Sequence, residues 1–137
     1  MTASNDELLA FCNELLEAER AGAQITAVSA NEAQDDATRA LLRDIQKDEA
    51  HWCAMLIGWI ERLGGEASPK RGAFYEKCLA IPDLGERIAF INRGQGWVVK
   101  KLREMTPNVP DARMRADFTA MLKGHEENIA RANAALG

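Results

Sequence analysis

The sequence predicts an all-α chain folded as a four-helix bundle, with a long crossover that contains a short extra helix. Three observations predict it. Breakers cut the chain into four long segments, apolar residues recur in each at helical spacing, and no strand-like alternation of useful length appears. The 137 residues suffice for one hydrophobic core, so residues 1–137 are read as a single bundle domain.

Each element has its own start and stop. Ser4-Asn5-Asp6-Glu7 reads as a capping box, which places the first helix at about 5–30. The polar stretch from Asn31 to Asp36 is short, and a second helix over about 35–63 ends at Gly64-Gly65, where glycine can take the left-handed cap. Ser68-Pro69 opens a short helix over about 70–80, closed by Pro82. A third long helix spans about 83–105 up to Thr106-Pro107, and Pro110-Asp111 starts the fourth, at about 111–136. Short turns make the first two long helices antiparallel, and the last two likewise. The long segment from Gly64 to Pro82 can carry the chain back to the other end of the bundle, although a simple up-down-up-down order satisfies the same spacing.

Composition narrows the function. An apolar fraction of 47% and a charged fraction of 28% are those of a globular chain. The net charge of −4 leaves no surplus of cations to neutralise phosphates, which argues against a nucleic-acid partner. The longest uncharged apolar run, Trp52 to Ile60, falls far short of the roughly 20 residues of a membrane span. The polar start, Met1 to Glu7, is unlike a signal peptide, and Cys12, Cys53 and Cys78 form no Cys-x-x-Cys, so a cytoplasmic setting is expected.

Unrolling each helix at about 100° per residue locates its apolar face. Leu8, Cys12, Leu15, Ala23 and Thr26 share a face with Glu19. Leu42, Ile45, Trp52, Leu56, Ile60 and Leu63 surround Glu49. Leu84, Ile88, Ile91, Val98, Val99 and Leu102 surround Gln95, and Met114, Phe118, Met121, Ile129 and Ala132 surround His125. Each of the four polar residues is near the middle of its helix, so all should meet in one layer. Glu14 and Glu17 fall outside the first arc, Asp48 sits at the edge of the second, and His51 lies about 140° from the core direction, a surface or interface position.

Two carboxylates in a dry core carry a desolvation penalty of several kcal/mol per ion. Protonation of one carboxyl, a protonated His125, or a divalent cation would each relieve it. Gly22, Gly94, Gly96 and Gly124 lie beside the four residues and give either close helix packing or room for a bound species.

The segment Cys12-Asn13-Glu14-Leu15-Leu16-Glu17-Ala18-Glu19 resembles the first helix of the ferritin-like superfamily, whose bacterioferritin and rubrerythrin members hold a di-iron centre. Asp48-Glu49-Ala50-His51-Trp52 is similar to their second-helix Glu-x-x-His, with Trp52 where the histidine belongs. Gln95 stands at the position of a bridging glutamate, and Leu122-Lys123-Gly124-His125 keeps the last histidine but not its glutamate. The resemblance covers all four long helices and is nearest a branch marked by Asn92 to Val99 and Gly72 to Lys77.

That resemblance implies an altered di-iron site with Glu19, Glu49 and His125 as metal ligands and Gln95 as a weak ligand or a donor to the ligands. The metal would be iron, manganese or zinc, and any turnover would be of the metal-dependent oxidoreductase type. The competing reading is a metal-free bundle whose buried polar cluster fixes helix register in a structural or interaction module. Phe90 and Trp97, seven apart and opposite the core arc, either cover the short helix with its Phe74 and Tyr75 or form a homodimer interface.

Overall fold

The computed structural model describes residues 2–137; Met1, counted above with the polar start, lies outside them. Helix α1 (Asn5–Glu32) opens on the expected capping box: Ser4 Oγ accepts from the Glu7 amide at 3.1 Å, and the Ser4 amide donates to Glu7 Oε1 at 3.0 Å. Helix α2 (Asp36–Arg62) starts at Asp35, whose carboxylate accepts from the Thr38 amide, and ends before Gly64, which takes the left-handed φ of 81°. After the short α3 (Phe74–Leu79) come α4 (Leu84–Met105) and α5 (Ala112–Leu136). Asp83 and Asp111 cap these last two through first-turn amides.

The short helix begins four residues later than its sequence suggests. The Arg20 guanidinium on α1 donates to the carbonyls of Ser68 and Lys70, the Lys70 amide donates to Ser68 Oγ, and the Gly72 amide donates to the Glu17 carbonyl. Backbone groups that would have built the first turn are therefore committed to α1, and helix forms only from Phe74.

Cross-helix contacts settle the order left open above. Asn5 donates to the Leu63 carbonyl, Glu17 accepts from Ser68 Oγ, Gln24 accepts from Arg71, and Glu32 accepts from Arg87, so residues 63–83 climb α1 from its start to its end. Helix α4 consequently runs antiparallel to α1, with Lys101 beside Glu14 at 3.6 Å. Helix α5 runs antiparallel to α2, through Asp44–Arg131, Asp48–Asn128 and Trp59–Asp117. This is the long-crossover arrangement, not the simple up-down-up-down order.

Two apolar cores fill the bundle. One gathers Leu8, Leu15, Leu56, Leu102, Phe118 and Met121; the other gathers Ala30, Leu42, Ile45, Ile88 and Ala132. In every long helix the polar residue singled out above lies between them in sequence. Glu17 is half-buried rather than solvated, because the crossover covers it. Ala23, Trp52, Leu63, Leu84 and Ile129 are also only half-buried, while Phe11, Trp59 and Asn128 are buried instead. Among the described residues, no helix is long and apolar enough to cross a membrane.

Candidate metal centre

Glu19, Glu49, Gln95 and His125 are all buried, none more than 3% exposed. His125 Nδ1 lies 2.9 Å from the Met121 carbonyl one turn back on α5, which places the Nδ1 hydrogen there and turns Nε2 inward. Nε2 approaches Glu19 Oε1 to 2.9 Å. The distance is that of an ion pair, yet the angle leaves both atoms without an aligned hydrogen bond.

Glu49 enters from α2 over Gly22. A Cβ on Gly22 would lie 1.7 Å from Glu49 Oε2, so the missing side chain is the niche that the carboxyl fills. Both carboxyls, Gly22 and Gln95 line a cavity of about 20 Å³, closed on its outer side by Ala18, Phe74 and Gly94. That volume suits about one water or one ion. Glu49 Oε2 and both amide atoms of Gln95 have no hydrogen-bond partner.

The electrostatics follow from this confinement. Burial, then the Glu19 charge, then the Asp48 charge push the Glu49 carboxyl well above the usual carboxylate range. For His125, burial opposes the charged form, but the Glu19 carboxylate and the carbonyl of Met121 overcome it and raise the value. A proton on Glu49 and an imidazolium facing Glu19 leave this layer without net charge.

Sequence-adjacent groups divide sharply. His51 is exposed, its ring edge-on to Trp52 at 4.7 Å, and takes no part in the layer. Trp52 fills the space above Gly124, where a Cβ would meet its ring at 3.1 Å. Asp48 turns toward α5 and accepts from Asn128 Nδ2 at 3.0 Å. Gly94 gives room to the Phe74 ring, while a Cβ on Gly96 would meet nothing within 4 Å.

Asn128 and Arg87 escaped the sequence reading. Asn128 stands one turn after His125, a spacing that could have flagged it. Arg87 is 3% exposed and donates to the Ile81 carbonyl, Ser29 Oγ and Glu32, tying the end of the crossover to α1. Nothing in its local sequence marks it as buried.

As a donor set, two carboxyls, an imidazole nitrogen and an amide oxygen match iron, manganese or zinc in type. Their unpartnered atoms fit a missing cation. Among the described residues, however, no group of three or more His, Cys, Asp and Glu side chains stands ready to hold a metal ion. Glu19 and His125 are paired, and Glu49 is drawn aside into the Gly22 niche.

A family described as a domain of unknown function, DUF6306, matches residues 6–134. The chain belongs to that family. A crystal structure described as ferritin-like, diiron-carboxylate proteins from Bacillus anthracis str. Ames superposes with a TM-score of 0.70, covering 99% of this chain and 94% of that one. At 16% identity the likeness speaks for the fold, and the fold of this DUF6306 member is ferritin-like. No curated protein matches the chain.

Proposed function

We propose that this ferritin-like protein binds a single divalent cation in the mid-bundle layer, through Glu19, Glu49 and His125 with Gln95 as a weaker oxygen donor. One observation carries the reading: each of these four side chains, one from each long helix, has a buried polar atom with no hydrogen-bond partner. Such atoms each cost about 1–3 kcal/mol, and four in one layer call for a common partner. A cation would supply it, drawing Glu49 toward the Glu19–His125 pair and releasing its proton. The titles of solved relatives with this fold, which speak of diiron-carboxylate proteins, make iron the first metal to test. If the bound metal is redox-active, one-electron or oxygen chemistry becomes available at the layer.

A second reading rests on a different observation. Protons held by Glu49 and His125 balance the layer without any metal. The cluster would then fix helix register in a structural or interaction module.

Anaerobic titration of the purified apo-protein with Fe(II), Mn(II) and Zn(II) separates the two. The metal reading expects one equivalent bound by the wild type and loss of binding in both Glu19→Ala and His125→Ala. Absence of stoichiometric binding, or binding indifferent to both substitutions, leaves the metal-free module standing.

A further inference from the structure

Outside the buried layer, α1, α3 and α4 enclose an open groove of about 440 Å³, within the range of small-molecule sites. Its floor is aromatic. Phe74 and Phe90 stack at 5.1 Å and 10°, and Trp97 beside them remains 38% exposed, one of three large apolar side chains so open among the described residues. The sequence left Phe90 and Trp97 as either a cover for the short helix or a dimer face. Phe90 does cover α3, whereas Trp97 is left facing the groove.

Charge on the groove wall is asymmetric in use. The acids are engaged, Glu14 with Lys101 at 3.6 Å and Glu17 with Ser68 Oγ at 2.7 Å. Lys77 and Arg93 are exposed and, among the described residues, have no carboxylate partner; Arg93 lies only over the Phe90 ring, at 5.8 Å. An aromatic floor with two free cations at its edge is complementary to a flat apolar body carrying one negative group. Arginine suits a carboxylate in particular, through its planar fork of donors.

We propose that this groove is a binding site for a small aromatic carboxylate, whose ring lies against Phe74, Phe90 and Trp97 and whose carboxylate meets Arg93 and Lys77. The site stands on its own side chains and holds whether or not the interior binds metal. It adjoins the buried layer through Phe74, Gly94 and Ala18, which line both spaces.

Calorimetric titration of the wild-type protein with phenylpropionate, phenylpropanol and phenylpropylamine tests the assignment. The acid should bind about tenfold tighter than the isosteric alcohol, and K77Q/R93Q should erase that difference. Trp97→Ala should weaken the acid and the alcohol alike; Lys77, Arg93 and Trp97 are surface residues, so these variants should fold. Saturable binding of none of the three compounds overturns the proposal, as does equal affinity for acid and alcohol or a preference for the amine. A dimer in sedimentation that Trp97→Ala dissociates also overturns it, because the groove would then be filled by a second copy.

Discussion

Glu49 occupies the place of a side chain that residue 22 does not have: its Oε2 lies 1.7 Å from where a Cβ on Gly22 would stand. A carboxyl on α2 thus depends on the smallest residue of α1. That contact, more than either residue alone, makes the buried layer.

Gly22→Ala should therefore destabilise the protein by about 1–3 kcal/mol, despite alanine's better helix propensity, because the carboxyl must leave a closed site. Truncating the intruder should reverse this. In chemical denaturation, Gly22→Ala combined with Glu49→Ala should be more stable than the sum of the single effects allows. Strict additivity would show that the two residues do not compete for one space.

Glu49→Gln separates the metal from the proton. The amide imitates a protonated carboxyl, so apo stability should change by less than about 1 kcal/mol. Affinity for Fe(II) should nevertheless fall at least about tenfold, since an anionic donor is lost. A large apo destabilisation would mean that Glu49 is ionised in the metal-free protein.

The apo-protein should lose stability as pH rises. Glu49 has a folded value raised above its ordinary 4.5, and His125 one raised above 6.5, so the folded state binds more protons than the unfolded chain within each window. The Glu49 contribution is complete below 4.5 and fades as pH climbs through its raised value; that of His125 is complete below 6.5 and fades likewise. Melting temperatures of the apo-protein across neutral pH should fall in the wild type and fall less in Glu49→Gln. Saturating metal should flatten the slope, because it takes the place of the protons.

Arg87 is a structural dependency of the crossover. Arg87→Ala orphans the Ile81 carbonyl and Ser29, and should cost about 2–4 kcal/mol in urea denaturation. Glu32→Gln removes only its half-exposed ion-pair partner and should cost less than about 1 kcal/mol. Equal costs would place the clamp in the ion pair instead of the buried donors.

The sequence by itself determined the four long helices, their caps, and the depth at which each buries its one polar residue. These are local matters: the Ser4–Glu7 box, Asp35, Asp83 and Asp111 act within one turn, and a 3.6-residue period fixes which side of a helix faces inward. Helical arithmetic accordingly kept His51 on the surface and sent Glu49 inside. Only the tertiary structure decided the direction of α4, since the bonds that lead the crossover up α1 join residues some fifty positions apart, such as Arg20 with Ser68 and Glu32 with Arg87. It alone decided that Glu19 pairs with His125 while Glu49 turns into the Gly22 niche, because a periodicity gives the heading of a side chain but not the neighbour that receives it. Burial of Arg87 and Asn128 belongs to the same class. Their partners, Ile81 and Ser29 for one and Asp48 for the other, become neighbours only once the helices have packed.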